Sequence, residues 1–365
     1  MSWQNFLKQS DFQTPPKDEE IEITVCGRGF GECIILCCGN KDFIVIDSFI
    51  NRETGNPIAI DYLKVLDLDC THIKRFVLTH WHQDHITGAS TLIEQLDENA
   101  KIVLSPIMSE KKFLEYMEIG IAEQNKSVSE FAKVLQYLKD TKFKHAIAAG
   151  QNKITYKIAE KANVYSLSPS DEDLFSYIDS LVIPSEDRAT SYSFPDDNLL
   201  SIVLLLEHGT GGFLLGSDLE NFNDDKRGWK NVVKNYESTN VKPFLFKIPH
   251  HGSQNGYNED VWKQILAKFP ISIITVYNKG LKLPKDEEIE RIKKLSKAVY
   301  VVGNKDTKKG KDIIKSVKNS MPNVNISMIS TELGIVRYRK NTKTGEEKIE
   351  TFGCVKKYEN ENSGI

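Results

Sequence analysis

The sequence lacks the long apolar run of a membrane-spanning protein. No stretch of the chain approaches the roughly 18 consecutive apolar residues that cross a bilayer. The first residues, MSWQNFLKQSDFQTPP, have neither the basic segment nor the apolar core of a signal peptide. We therefore expect a cytoplasmic protein that has no membrane partner.

Cysteine is scarce, and no two cysteines form a C-x-x-C pair. This spacing disfavours both a thiolate zinc site and a disulfide scaffold, so we expect reduced, mostly buried thiols. The 6 cysteines are Cys26, Cys33, Cys37, Cys38, Cys70 and Cys354.

The chain also lacks a strong excess of charge of either sign. It has 48 basic and 51 acidic residues, for a net charge of −3, which excludes a strongly basic nucleic-acid-binding protein but not a local basic patch. With 40% hydrophobic and 27% charged residues among 365, the composition is that of an ordinary globular protein. Long disorder is therefore excluded for most of the chain.

Short apolar runs begin at Ile21 and predict strands. The runs IEITVC, CIILCC and FIVIDS are separated by GRGFGE and GNKD, which carry the glycine and asparagine typical of turns. We predict a polar, loosely held lead-in at 1–20, one large domain at 21–340, and a C-terminal strand and tail at 341–365. Within the domain, 107–140 predicts two amphipathic helices as an insertion, and 170–197 predicts a long acidic loop that can include a short helix.

The residues most suggestive of chemistry are Thr79-His80-Trp81-His82-Gln83-Asp84-His85. Three of the 8 histidines and one carboxylate follow the apolar run RFVLT directly. Residues two apart point the same way in an extended loop, so His80, His82 and Asp84 can face one pocket, and a turn can bring in His85. Imidazole and carboxylate are ligands of zinc and other first-row cations, so the segment predicts a metal site.

Three further polar positions follow apolar runs in the same way. Asp47 ends FIVID, Asp218 ends FLLGSD, and His250-His251 follows FLFKIP. Each alone could be a turn or capping residue. Their occurrence together with the histidine cluster instead predicts one site at the edge of a sheet.

The run His80-x-His82-x-Asp84-His85, with Asp47 before it and Asp218 and a late histidine after it, resembles the metallo-β-lactamase superfamily of hydrolases. Within that superfamily, GRGFGECIIL, VLTHWHQDHITGA, FLLGSD and KIPHHGS resemble the hydrolase domain of ComEC-type competence proteins, without their membrane channel. The resemblance extends from about 21 to 339. It implies an αββα four-layer sandwich of two mixed β-sheets with the metals at one sheet edge.

The resemblance also implies roles for individual residues. His80 and His82 would hold one divalent metal, and Asp84 and His85 a second. Asp218 would bridge the two, and one of His250 or His251 would complete the second site. Asp47 would orient the cluster by hydrogen bonds.

The sequence departs from the superfamily pattern at one ligand of the first metal, because the usual third histidine is missing. His145 and His208 are candidates for that position. Asp196, Asp197 or Asn198 could supply oxygen instead. The resemblance thus allows one or two ions, either zinc or manganese.

The first functional hypothesis is a metal-dependent phosphodiesterase or nuclease that uses a metal-activated hydroxide. Asp84, His250 and His251 are its expected catalytic residues, because the histidine that binds no metal could protonate the leaving group. The alternatives are hydrolysis of a carboxylic ester, thioester or lactam on the same site, and hydrolysis of a small or cyclic nucleotide. A redox or binding protein on this fold is a third class, although di-iron relatives carry carboxylates that this cluster does not show.

Two charged segments bear on the expected substrate, a nucleic acid or a nucleotide. Residues 282–318 contain twelve basic and six acidic residues, and they could form either a phosphate-binding surface or a solvated helix face. The acidic loop at 170–197 could instead cover the pocket and exclude long polyanions. The basic segment therefore favours a nucleic-acid substrate, whereas the acidic loop favours a small nucleotide.

Overall fold

A computed structural model describes residues 3–122, 126–158, 162–181, 197–209, 211–237, 241–279, 282–304 and 332–360. Its strands are β1 (Glu20–Gly27), β2 (Glu32–Cys37), β3 (Phe43–Ile46), β4 (Ile73–Val77), β5 (Lys101–Leu104), β6 (Ala146–Ala148), β7 (Lys153–Ile158), β8 (Ala162–Ser166), β9 (Leu204–His208), β10 (Gly211–Leu215), β11 (Leu245–Lys247), β12 (Ile271–Thr275), β13 (Ala298–Val302), β14 (Gly334–Asn341), β15 (Glu347–Gly353) and β16 (Val355–Glu359).

The described α-helices are α1 (Trp3–Phe6), α2 (Ile58–Val65), α3 (Gln83–Ile86), α4 (Ala89–Ile93), α5 (Lys111–Ala122), α6 (Lys126–Asp140), α7 (Asp171–Ser180), α8 (Gly228–Lys234) and α9 (Asp286–Leu295). None of these helices combines the length and apolar character needed to cross a membrane.

The strands form two eight-stranded mixed sheets. The first has the order β15-β14-β1-β2-β3-β4-β5-β6, and the second has the order β16-β13-β12-β11-β10-β9-β8-β7. Neighbours from β3 to β6 are parallel, as are neighbours from β10 to β13, and the flanking pairs are antiparallel. The first sheet is therefore parallel from β3 to its edge strand β6, whereas the second is parallel in its middle, from β10 to β13.

Three hydrophobic clusters define four layers. One cluster lies between the sheets and includes Ile23, Leu36 and Phe213. A second packs helices such as α2 and α6 on the outside of the first sheet, and a third packs α8 and α9 on the outside of the second. The predicted αββα sandwich is confirmed.

The alternation of side chains along β2 shows how the sequence produces this layering. Ile34 and Leu36 face the inter-sheet cluster, whereas Ile35 and Cys37 face the helices outside. Because successive side chains of a strand point to opposite faces, a strand covered on both sides must be apolar throughout. This explains the unbroken apolar run in that part of the sequence.

The lead-in differs from the prediction of a loosely held segment. Trp3, Phe6 and Phe12 are buried, and their rings pack in a row that continues to Phe352 on β15. Because polar residues separate these three aromatics in the sequence, no apolar pattern indicates that their side chains face the same way. These three side chains thus attach the lead-in to the core.

Two other segments differ from their predicted boundaries. The stretch predicted as an acidic loop begins with α7, because Ser170 and Asp173 form a capping box that starts a helix. Residues 182–196 of that stretch lie outside the described residues. The C-terminal stretch contains β15 and β16, which add a strand to each sheet, so the domain extends past residue 340.

Candidate metal centre

The predicted site residues lie where strands end, at one edge of both sheets. Asp47 follows β3, residues 80–85 follow β4, Asp218 follows β10, and His251 follows β11. The parallel pairs β3–β4 and β10–β11 bring these four ends to the same edge, one pair from each sheet. We call His80, His82, Asp84, His85, Asp218 and His251 the strand-edge cluster.

Asp218 lies at the centre of the strand-edge cluster. Its Oδ2 is 3.9 Å from His80 Nε2, 3.4 Å from His85 Nε2 and 3.6 Å from His251 Nε2. Asp84 contacts two of the same histidines: its Oδ2 lies 3.2 Å from His251 Nε2 and 3.6 Å from His85 Nε2. One carboxylate therefore connects residues that come from both sheets.

The donor atoms of the strand-edge cluster form two groups of three, each within 4.8 Å. The first group is His80, His82 and Asp218, and the second is Asp84, His85 and His251. Imidazole nitrogens and carboxylate oxygens at such spacing suit zinc and related cations. Two groups side by side, sharing Asp218 between them, could hold two ions.

Two buried polar atoms test whether the residues fit a metal. His85 Nε2 and Asp218 Oδ1 are both buried and have no hydrogen-bond partner. An unsatisfied buried polar atom costs about 1–3 kcal/mol, so such atoms call for an explanation. A cation between them would satisfy both, and the cluster therefore fits a metal.

The electrostatics of the strand-edge cluster favour the protonation states in which carboxylate and imidazole side chains can bind a metal. Burial acts to raise the pKa of Asp218, but the neighbouring His85 and His251 outweigh it and hold that pKa well below its usual range. Burial, with His85 and His82, lowers the pKa of His80 well below its usual value. The carboxylate is therefore anionic and His80 is a neutral imidazole.

His85 carries the compensating positive charge. Burial acts to lower its pKa, but the carboxylates of Asp218, Asp84 and Asp47 outweigh burial and raise the pKa well above the usual value. A bound cation would supply that positive charge instead of the imidazolium proton.

Asp47 orients His85 and the loop that carries it. Its Oδ2 lies 2.7 Å from His85 Nδ1, and its Oδ1 accepts a hydrogen bond from the Thr79 backbone nitrogen at 2.9 Å. The Thr79 hydroxyl also donates to this carboxylate, at 2.8 Å from Oδ2. With Nδ1 held in this way, Nε2 of His85 faces Asp84 and Asp218.

Backbone strain is concentrated in the same place. Asp47, Ser217, His250 and His251 all have positive φ angles, between 46° and 57°. Left-handed conformations of non-glycine residues cost about 1–3 kcal/mol each and are found at functional sites where the surroundings enforce them. These four residues follow β3, β10 and β11, at the strand ends where the cluster lies.

The structure separates the two late histidines. His251 belongs to the strand-edge cluster, whereas His250 Nδ1 lies 2.8 Å from Glu220 Oε1 and 3.0 Å from Ser253 Oγ. Asn198 Nδ2 donates to the same Glu220 oxygen at 2.9 Å. His250 and Asn198 are therefore joined through Glu220, and within the described residues neither belongs to a ligand group.

Two aromatic rings and a lysine adjoin the cluster. The Phe30 and Tyr277 ring centroids are 5.6 Å apart, and the Tyr277 ring is 5.2 Å from the ring of His251. Lys279 Nζ lies 4.8 Å from the Phe30 centroid and donates to Gln83 Oε1 at 2.8 Å. We call Phe30, Tyr277 and Lys279 the aromatic rim.

Two carboxylates of the strand-edge cluster affect the pKa of Tyr277. Burial and, after it, the Asp84 and Asp218 carboxylates raise the pKa of Tyr277 to about 12. The phenol therefore stays protonated at neutral pH and can donate a hydrogen bond.

Several predicted candidates lie elsewhere. His145 precedes β6 and His208 ends β9, so both lie at the opposite edge of their sheets. Neither belongs to a ligand group. Asp196 and the side chain of Asp197 lie outside the described residues.

The described part of the basic segment also lies away from the cluster. Lys293 and Lys294 are in the last turn of α9, and the backbone of the nearby Lys297 bonds to Pro270, just before β12 begins. The strand-edge cluster lies at the other end of β12. Residues 305–318 lie outside the described residues.

Comparisons with known proteins give one family match. A family model described as the Metallo-beta-lactamase superfamily matches residues 26–120. A search of curated proteins finds no match.

Similar solved structures include metallo-β-lactamases and another hydrolase. SMB-1 bound to 2-mercaptoethanesulfonate has a TM-score of 0.33 and 11% identity, covering 66% of this chain and 82% of that one. MEM-A1, a subclass B3 enzyme from a soil metagenome library, has a TM-score of 0.34 and 10% identity, covering 67% and 83%. The hydrolase AbOPH of the beta lactamase superfamily has a TM-score of 0.26 and 18% identity, covering 38% and 52%.

The segment that the family model matches contains Asp47 and the residues from His80 to His85.

Sequence reasoning missed Glu220, the aromatic rim and three buried residues, namely Glu32, Lys247 and Thr275. The signal for two of them was present, because Glu32 and Lys247 are lone charges in the apolar stretches GECIIL and FLFKIP. A charge on a strand that is covered on both faces must find a partner. Glu220 and the rim lie in loops, where no periodicity shows which way a side chain points.

Proposed function

We propose that this chain is a phosphodiesterase whose substrate carries an aromatic base beside the scissile phosphate. The family match over residues 26–120 and the strand-edge cluster support metal-dependent hydrolysis. The preference for a phosphodiester rests on one observation, the aromatic rim adjoining the cluster. The resemblance to ComEC-type hydrolase domains also supports it.

The two donor groups would hold the divalent ions. His80 and His82 would bind one, Asp84, His85 and His251 the other, with Asp218 shared between them. Bound there, the ions would supply activation of water and neutralisation of phosphate charge.

His250 is the candidate proton donor to the leaving group. Its Nδ1 contacts Glu220, so Nε2 is the nitrogen that would exchange a proton with substrate. Burial acts to raise the pKa of Glu220, but the hydrogen bond and charge of His250, together with the hydrogen bond from Asn198, outweigh it and lower that pKa, which keeps the partner an anion. A carboxylate behind the imidazole stabilises its protonated form and fixes its orientation.

The aromatic rim fits a nucleotide better than it fits a lactam or a simple ester. Phe30 and Tyr277 are half-buried, so they present rings without being sealed in the core. Bases stack on such rings, and Lys279, exposed beside them, supplies a cation for a neighbouring phosphate. Phosphate and base together define a nucleotide phosphodiester.

A substrate panel tests the bond that is cleaved. We expect the enzyme loaded with zinc or manganese to turn over bis-p-nitrophenyl phosphate faster than p-nitrophenyl acetate, and the metal-stripped enzyme to turn over neither. Faster ester cleavage would support the carboxylic-ester alternative and reject a phosphodiesterase.

A second experiment tests the rim. Stacking of one base is worth about 1–3 kcal/mol, so Phe30→Ala should raise the KM for a dinucleotide about 5- to 150-fold. Methyl p-nitrophenyl phosphate serves as the control substrate. The control variant is Phe175→Ala, which removes an exposed aromatic ring of α7. An unchanged KM for the dinucleotide in Phe30→Ala would remove the rim from substrate binding.

A further inference from the structure

A lysine and a glutamate form a buried ion pair between the two sheets. Lys247 Nζ, at the end of β11, lies 2.8 Å from Glu32 Oε2, at the start of β2, and the two side chains are 0% and 1% exposed. Desolvation of such a pair often costs as much as its attraction returns, and apolar residues of similar size are frequently as stable. Stability alone therefore does not account for the pair.

The ion pair continues by hydrogen bonds to the strand-edge cluster. The Thr275 hydroxyl, at the end of β12, donates to the same Glu32 oxygen that contacts Lys247. His251 Nδ1 then lies 3.1 Å from Thr275 Oγ1 and 3.2 Å from the Thr275 carbonyl oxygen. The chain of contacts runs from Lys247 through Glu32 and Thr275 to His251, and all four residues are buried.

The direction of these bonds determines where His251 carries its proton. A carbonyl oxygen only accepts, and the Thr275 hydroxyl has already given its hydrogen to Glu32, so both contacts require a hydrogen on Nδ1. The lone pair of the neutral imidazole is then on Nε2. That atom lies 3.2 Å from Asp84 Oδ2 and 3.6 Å from Asp218 Oδ2, inside the cluster.

We propose that Lys247, Glu32 and Thr275 are positioning residues that set the tautomer and orientation of His251 as a metal ligand. Lys247 holds Glu32 as a charged acceptor, Glu32 fixes the hydroxyl hydrogen of Thr275, and Thr275 accepts from His251. Asp47 performs the equivalent task for His85 on the first sheet. The proposal rests on the metal role of His251 proposed above but on no particular substrate.

Metal affinity, measured without substrate, tests the proposal. The metal-stripped protein is titrated with zinc in competition with a chromophoric chelator. Loss of a partner that orients a ligand commonly weakens metal binding about 10- to 100-fold. We expect that loss for Thr275→Val and for the double change Lys247→Met with Glu32→Met, whereas Thr275→Ser, which keeps the hydroxyl, should bind within a few-fold of the unaltered protein.

Ser272→Ala is the matched control. Ser272 lies on the same strand, β12, and its buried hydroxyl is 2.7 Å from Ser296 Oγ, away from the cluster. Its loss should lower the melting temperature of the metal-free protein and leave zinc affinity unchanged. The control thus measures what the loss of a buried hydroxyl does to stability alone.

Two results would overturn the proposal. One is zinc affinity in Thr275→Val equal to that of the unaltered protein. The other is an equal loss of affinity in Ser272→Ala, which would show a general effect of weakened packing. If the double variant does not fold, comparing the zinc affinity of Thr275→Val with that of Thr275→Ser still tests the proposal. None of these outcomes depends on which bond the enzyme cleaves.

Discussion

At the scale of single residues, Asp218 connects the two ligand groups of the strand-edge cluster. Its Oδ2 lies within 3.9 Å of histidines from both groups. Asp218→Asn should therefore lower phosphodiester turnover more than about 100-fold, since loss of a direct ligand should exceed the 10- to 100-fold cost of losing an outer partner. Turnover and metal content measured on the same preparation check this.

His72→Ala and His208→Ala are the controls for that change. Both histidines lie at the sheet edge opposite the cluster, and we expect nearly full turnover from either variant. Full turnover by Asp218→Asn would contradict the shared role of Asp218.

His250 gives a different expectation, because it contacts Glu220 rather than the ligand groups. His250→Ala should retain its metal and lose about 100- to 10,000-fold in kcat, the usual contribution of a positioned acid or base. His251→Ala should instead lose metal. Elemental analysis beside steady-state kinetics separates the two, and loss of metal from His250→Ala would refute the assignment.

The sequence could identify the pair His250-His251 but could not assign their tasks. Both residues have positive φ angles, so the usual alternation of side chains does not apply to them. The two partners that distinguish them, Glu220 and Thr275, are 30 and 24 residues away. By contrast, His80 to His85 follow an apolar strand at a spacing that local geometry already explains.

At the scale of elements, the lead-in contributes to the core. Phe12 is fully buried, and its ring centroid lies 4.8 Å from that of Phe352 and 5.9 Å from that of Tyr62. Phe12→Ala should lower the free energy of unfolding by about 3–5 kcal/mol. Urea denaturation checks this against Phe175→Ala, whose ring is 65% exposed and whose loss should cost little.

Helix α9 should not contribute to substrate binding through its last turn. Lys293 and Lys294 lie in the last turn of α9, shortly before β13 begins, and the strand-edge cluster lies at the other end of the neighbouring β12. Replacing both lysines by glutamine should leave cleavage of a single-stranded oligonucleotide unchanged at low salt and at physiological salt. Weaker cleavage with a smaller dependence on salt would restore the phosphate-binding interpretation of this segment.

Strands were predictable from the sequence to different degrees. The run CIILCC is apolar throughout because both faces of β2 are covered, whereas IEITVC on β1 includes the buried polar residues Glu22 and Thr24. The lead-in was not predictable, since Trp3, Phe6 and Phe12 are separated by polar residues and only packing shows that they share a face. Strand β16 has mostly exposed side chains in VKKYE, so no apolar pattern marks it.

At the scale of the whole molecule, the two sheets assemble a site that neither could form alone. The first sheet contributes Asp47 and the residues from His80 to His85, and the second contributes Asp218 and His251. A metal bound by both sheets stabilises only the folded state. Saturation at 100 times the dissociation constant should add about 2.7 kcal/mol, seen as a higher melting temperature that falls on chelation.

The most direct test of this account is zinc titration of the metal-stripped protein, followed by elemental analysis after removal of excess ion. The strand-edge cluster predicts tight uptake of one or two ions per chain, with uptake reduced in Asp218→Asn and unchanged in His208→Ala. Well under one ion per chain, with no uptake of zinc or manganese, would contradict it.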